Sequence, residues 1–309
     1  MRLLRMGFLF LALLRPTGSE AAGQENALPR LPSKRAYPGL SSEKEGQWTG
    51  PFFFVQLADP QFGFMEAPQE RKNAEAAVRH VNRLKPRFVI ICGDLVHPEP
   101  GTPDYDGKIR EFVDIFSKID PAIPLICVPG NHDVKNTPDA ASLSSYRRNF
   151  GDDYFGFWSG GVRCLVINST LYHDPSKAAE EQKQQEEWFV QELDAARTSK
   201  PRHLLVFQHH SWFLKGPDDK DGYFVLPQVR RKPALALMKE VGVRAVFAGH
   251  YHGNAGGKDG DLEMITTGPV GKPLRNDPSG LRIVEVYPRS IRHAYYSLEE
   301  VPKSIELQE

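Results

Sequence analysis

The sequence predicts an α/β fold, two packed mixed β-sheets with helices on their outer faces. Three observations point there. Six short apolar runs without polar alternation occupy residues 52–58, 88–92, 124–128, 165–167, 204–207 and 243–248. Stretches of helical periodicity lie between them, and three more strand-like segments close the chain with no helix between them.

A run that does not alternate is a strand covered on both faces, which argues for helix-flanked sheets and largely parallel pairing. After the first run, Ala74, Ala77, Val78, Val81 and Leu84 share one helical face. After the second, Ile109, Phe112, Val113, Phe116 and Ile119 do the same. Trp188, Leu193 and Ala196 mark a third helix, and residues 235–238 a fourth. Segments 262–266, 281–286 and 291–296 are expected to form an antiparallel section.

The folded domain is expected over residues 48–300. Residues 23–47, rich in Pro, Ser, Gly and charge, read as a linker, and 301–309 as a short charged tail. Ahead of them come arginines within residues 1–6, an apolar stretch over 7–14 and small residues around 19–21. That is the order of an export signal, assigned to residues 1–22, and the protein reads as secreted or periplasmic. The apolar stretch falls well short of the about 20 residues that a bilayer-spanning helix needs, so no transmembrane segment is expected. Cys92, Cys127 and Cys164 each sit inside an apolar run, as buried thiols do and a disulfide framework does not. Basic and acidic residues number 39 each, and a chain without net charge gives no support for a nucleic-acid partner.

The informative residues come directly after the apolar runs. The first run ends in Asp59-Pro60-Gln61, the second in Gly93-Asp94, the third in Gly130-Asn131-His132-Asp133. Later come Gln208-His209-His210 and Gly249-His250-Tyr251-His252. Each alone is an ordinary turn or a surface histidine. Together they deliver Asp, Asn and His to the carboxyl edge of the sheets, where α/β folds bind ligands. Turns draw as freely on Ser, Thr, Lys and Glu, so this composition points to metal. Phosphate-ester hydrolysis explains the residue types, because two divalent ions about 3.5–4 Å apart share an activated water and clamp the phosphate. A carboxylate must bridge the pair, and Asp94 is the candidate. Mixed imidazole nitrogen and carboxylate or amide oxygen suits Mn, Fe or Zn.

The ordered set Asp-x-Gln, Gly-Asp, Gly-Asn-His-Asp, His and Gly-His-x-His resembles the calcineurin-like metallophosphoesterase superfamily. Residues 151–155, 249–256 and 295–298, with the Asp-Pro-Gln variant, are similar to vertebrate calcineurin-like phosphoesterase domain-containing proteins, relatives of Ser/Thr phosphatases. The resemblance spans roughly residues 46–300. It implies a four-layer sandwich. It also implies that Asp59, Asp94 and His252 hold one metal with Gln61 near it, while Asp94, Asn131, His209 and His250 hold the other. His132 would be the general acid, with Asp133 to orient it. His209 is preferred because it comes first after its strand; His210 is the alternative.

Two departures matter. Gln61 stands where the superfamily mostly has His, a weaker ligand for these ions. His97, Pro98 and Glu99 replace the acid and Arg-Gly of the protein phosphatases, so their phosphate-gripping arginine is missing from that loop. Lys135, Arg147, Arg148 and Arg275 are candidates for phosphate contacts, but the preferred reading of each is a solvated surface charge. Phe62, Phe64, Trp158, Trp212 and Tyr223 line either a cleft or the core, with Trp158 assigned to the core. Asn168-Ser169-Thr170 matches a glycosylation pattern but reads as structural. The expected activity is hydrolysis of phosphate monoesters, in phosphoproteins or small molecules. A phosphodiesterase of nucleotide or lipid diesters and a catalytically weak secreted binding module are the alternatives.

Overall fold

The computed structural model describes residue 28 and residues 31–65 and 67–308, so the export-signal assignment lies outside the described residues. The strands are β1 (Phe52–Leu57), β2 (Val89–Cys92), β3 (Leu125–Val128), β4 (Phe155–Ser159), β5 (Val162–Val166), β6 (Leu204–Phe207), β7 (Ala245–Ala248), β8 (Ala255–Asp259), β9 (Leu262–Thr266), β10 (Gly280–Val286) and β11 (Ile291–Ser297). The helices are α1 (Ser42–Glu45), α2 (Ala67–Leu84), α3 (Tyr105–Phe116), α4 (Asn131–Val134), α5 (Ala140–Phe150), α6 (Thr170–His173), α7 (Ala179–Ser199) and α8 (Gln228–Val241). They build one sheet of order β11-β10-β1-β2-β3 and another of order β4-β5-β6-β7-β9-β8.

The two-residue period of a strand explains the four layers. Along β2, Val89 and Ile91 join the core under α2 and α3, while Ile90 and Cys92 join the core between the sheets. Along β6, Leu205 and Phe207 face that same inter-sheet core, and Leu204 and Val206 pack with α7 and α8 residues such as Leu193 and Met238. The inter-sheet layer is aromatic: the Phe54 ring stacks on Phe88 at 4.6 Å and meets Phe207 and Phe247 edge-on at 5.7 and 5.5 Å. Parallel pairing of β1–β2–β3 in one sheet and β5–β6–β7 in the other sends their carboxyl ends to one rim.

Several features differ from expectation. Strands β4 and β8 lie outside the expected set; β8 is Ala-Gly-Gly-Lys-Asp, an edge strand with no branched or aromatic residue to signal it. Strand β9 is antiparallel to β8 but pairs in parallel with β7, so only β10 and β11 form the expected antiparallel end of the first sheet. The segment read as a linker packs against the domain from residue 31 onward: Tyr37 and Leu40 are buried in the inter-sheet core, and the Tyr37 hydroxyl donates to the Leu125 carbonyl at 3.1 Å. Two isolated apolar anchors give no periodicity to read. The tail is held as well, with Arg83 donating to the Pro302 carbonyl at 2.7 Å. Trp158 is half-buried instead of a core residue, lying at the hairpin end of β4. Cys92, Cys127 and Cys164 are buried free thiols.

Candidate metal centre

The loops after β1, β2, β3, β6 and β7 meet at the shared rim. Two clusters of potential ligand atoms form there, Asp94 with His209 and His250, and Asp59 with Asp94 and His252. Within each cluster the atoms lie within 4.8 Å of one another, and all five residues are buried. Asp94 belongs to both.

The backbone is bent to achieve this. Ten non-glycine residues among those described have positive φ, and five are Asp59 (+49°), Gln61 (+40°), Asp94 (+51°), His250 (+67°) and His252 (+53°). Such conformations cost of order 1–3 kcal/mol each and concentrate where surrounding structure forces them. Glycines make the close approach possible: a Cβ on Gly93, at φ +82°, would run into the His209 ring, and one on Gly130 into Asp94. Beneath the rim, the buried Gln56 Nε2 donates to the Ala248 carbonyl at 3.0 Å while its Oε1 accepts from the Thr267 hydroxyl at 2.7 Å. That bridge ties β1 to the end of β7.

Each histidine of the two clusters is aimed by a backbone carbonyl. His209 Nδ1 donates to Cys92 at 2.8 Å, turning Nε2 toward Asn131 Oδ1 (3.0 Å) and Asp94 Oδ1 (3.3 Å). His252 Nδ1 donates to Lys272 at 2.7 Å, with Nε2 3.6 Å from Asp59. His250 Nε2 donates to Tyr223 at 3.0 Å, which leaves Nδ1 as its free lone pair. Asp59 Oδ1 and Oδ2 both accept from the His250 backbone N–H at 3.1 Å.

The electrostatics fit a cation. Burial pushes the Asp59 carboxyl up to about 8, against the pull of His209 and with the added repulsion of Asp94. Burial disfavours a charged His209, yet Asp94 and Asp59 outweigh it and raise the ring to about 9. Asp94 is held well below the carboxylate range, since His209 and His132 overcome the effect of its burial. Burial and the His209 charge lower His250 to about 3, so it is a neutral donor. Protons at neutral pH thus sit on Asp59 and His209, beside an ionised Asp94, in a water-poor space. A divalent ion takes the place of those protons when it binds. Gln61 Oε1 is buried with no hydrogen-bond partner, and its Nε2 is 3.4 Å from Asp94 Oδ2. The residues present fit a divalent metal site.

His132 and Asp133 part company. His132 is half-buried at the rim, its backbone N–H donating to Asp94 Oδ1 at 2.9 Å and its Nδ1 to the His97 carbonyl at 2.7 Å. Asp133 does not orient it. The Asp133 carboxylate is fully buried and accepts from the backbone N–H groups of Gly130 (2.8 Å) and Leu95 (3.0 Å), fastening the β3 loop to the β2 loop. The reason is geometric: both residues lie in the single turn α4, where consecutive side chains diverge by about 100°.

Ser169 Oγ accepts from the backbone N–H of His209 (3.1 Å) and of His210 (2.8 Å). His209 then faces Asp94, whereas His210 stacks on His173 with ring centroids 4.8 Å apart. Asn168 is buried and its Nδ2 donates to Asp153 at 3.0 Å, a structural role that leaves no room for a glycan. Phe62 and Trp212 are core, while Phe64 and Tyr223 belong to the rim: the Phe64 ring is 5.4 Å from His252 and the Tyr223 ring 4.8 Å from His250. The orienting carbonyls of Cys92, Lys272 and Tyr223 escaped sequence reasoning, because any residue type supplies one.

Comparison with known proteins agrees with this arrangement. The family described as calcineurin-like phosphoesterase matches residues 54–254. A Rattus norvegicus protein named serine/threonine-protein phosphatase CPPED1 is 42% identical over 298 residues, covering 92% of this chain and 95% of that protein. A Danio rerio protein of the same name is 41% identical over 282 residues, covering 86% and 91%. The structure of the purple acid phosphatase PPD1 from yellow lupin (Lupinus luteus) seeds shares the fold, with a TM-score of 0.62 at 13% identity over 84% of this chain and 53% of that one. A match that runs from β1 past His252, and relatives alike along nearly their whole length, make this chain a member of the calcineurin-like phosphoesterase family and a metal-dependent phosphoester hydrolase.

Proposed function

We propose that the chain hydrolyses phosphate monoesters, phosphoserine and phosphothreonine of proteins among them, using two divalent cations that share Asp94. The observation that carries this reading is the membership of Asp94 in both ligand clusters. Cations bound there supply a nucleophile at neutral pH and neutralise charge on the attacking and leaving oxygens. The chain's own part is to hold and to give a proton. The His97 carbonyl fixes His132 Nδ1–H and frees Nε2 to protonate the leaving oxygen. The names of the relatives support the protein substrate. With Mn added, p-nitrophenyl phosphate is expected to turn over faster than its bis ester, and phosphoserine peptides to release phosphate; the reverse order would make the chain a phosphodiesterase.

The donor chemistry supports Mn, Fe or Zn. Gln61 stands next to the Asp59, Asp94 and His252 cluster, its Nε2 3.4 Å from Asp94 Oδ2, and the weaker site is assigned there because an amide oxygen is a poorer ligand than imidazole. Titrating Mn into stripped enzyme is expected to give two unequal affinities, with Gln61→His tightening the weaker. Two equal, tight sites in the native chain would remove this assignment. The order of basic, apolar and small residues at the start supports export. Secretion of the expressed full chain with a new N-terminus near residue 22 is the expected result, and retention with an intact Met1 the opposing one.

A further inference from the structure

The sequence offers four cations for an oxyanion, and three are engaged elsewhere. Lys135 pairs with Asp139 at 3.0 Å, Arg147 with Asp153 and Glu181 at 2.8 Å each, and Arg148 Nη1 donates to Ser144 at 3.1 Å. Arg275 is exposed and makes no ion pair among the described residues; its Nη1 reaches only the neighbouring Leu274 carbonyl, at 3.2 Å.

Arg275 is nevertheless fixed in place beside the metal centre. Its guanidinium carbon lies 4.5 Å from the centroid of the Tyr251 ring and 5.2 Å from that of Phe224. Tyr251 separates His250 from His252 in the chain, and the Phe224 ring is 5.4 Å from His250. The loop that carries Arg275 grips His252 twice, through the Lys272 carbonyl at 2.7 Å and through the Leu274 N–H, which donates to the His252 carbonyl at 3.2 Å. Gly253 leaves space for the arginine stem, since a Cβ there would sit 2.6 Å from Arg275 Cγ. A solvated surface charge needs none of these attachments. A guanidinium lying against aromatic rings keeps its in-plane N–H donors for an oxyanion, in a geometry that an ammonium cannot match.

We propose that Arg275 is a substrate-binding residue, an oxyanion site on the rim of the metal centre. It takes an oxygen of the substrate phosphate or of a carboxylate beside it. This rests on the monoester reading and deepens it, replacing from a different loop the cation missing after Gly93-Asp94.

The test uses metal-loaded enzyme and the variants Arg275→Met, Arg275→Lys and, as a surface control, Arg148→Met. Kinetics are measured with p-nitrophenyl phosphate and with phosphoserine peptides bearing acidic or neutral flanks, alongside calorimetric binding of inorganic phosphate and metal content. Arg275→Met is expected to raise KM roughly tenfold rather than lower kcat, as fits loss of one charge-assisted contact at an exposed site, with metal content unchanged. Arg275→Lys recovers part of the loss, and Arg148→Met behaves as wild type. The native KM climbs with salt more steeply than that of Arg275→Met. Weakening with every substrate and with inorganic phosphate assigns the phosphate, while weakening with the acidic peptide alone assigns the flanking carboxylate. Unchanged KM and phosphate affinity in Arg275→Met, or a fall in kcat that tracks lost metal, overturns the proposal. Failure of the monoester reading shows separately, as native enzyme that cleaves the bis ester but not the monoester, and the calorimetry still decides on Arg275.

Discussion

Asp94→Asn is expected to lower phosphatase turnover by roughly three orders of magnitude, the rate equivalent of several kcal/mol of lost charge stabilisation. Asp94 is the residue common to both clusters, and it also accepts the backbone N–H of His132. The amide keeps the size and an oxygen for that N–H, but it removes the negative charge that the cations need. Metal content should therefore fall together with rate, while a thermal melt shows a folded protein. A variant that keeps two tightly bound ions and native turnover would show that Asp94 does not bridge them.

His132→Ala separates the proposed acid from the proposed ligands. The ring lies outside both clusters, with Nδ1 on the His97 carbonyl. The rate should drop by roughly 10²–10⁴-fold with metal content unchanged. The loss should be smaller for p-nitrophenyl phosphate than for an alkyl phosphate, because a stable phenolate departs with little help from a proton. Equal losses for the two leaving groups would point to a role in phosphate binding instead.

The convergence of the candidate ligands could be read from the sequence because each one comes just after an apolar run, and a strand buried on both faces ends at a predictable edge. Asp59, Asp94, Asn131, His209, His250 and His252 all converge as that logic requires. What stayed hidden depends on direction rather than position. Adjacency in sequence put Asp133 beside His132, but a helical turn sends their side chains apart. The left-handed backbone at Asp59 and Asp94 carries only a weak compositional mark, since Asp adopts it more often than most residues but far less readily than glycine. Strand β8 stayed invisible because its pairing is written in backbone hydrogen bonds to β9, not in its side chains. Tyr37 and Leu40 show the same limit in reverse: a composition suited to a tether says nothing about two apolar anchors that reach the core.

The carbonyls that aim His209, His252 and His250 belong to Cys92, Lys272 and Tyr223, and this has an evolutionary corollary. An imidazole steered by a neighbour's side chain is lost with one codon change, but a peptide oxygen survives any substitution that keeps the main chain in place. The aim of the rings therefore does not depend on which side chains stand at positions 92, 223 and 272, even though Cys92 packs in the inter-sheet core and the Tyr223 ring lies on His250. Mutations that reroute the chain at these points, proline above all, are the ones that would turn a histidine away from its ion.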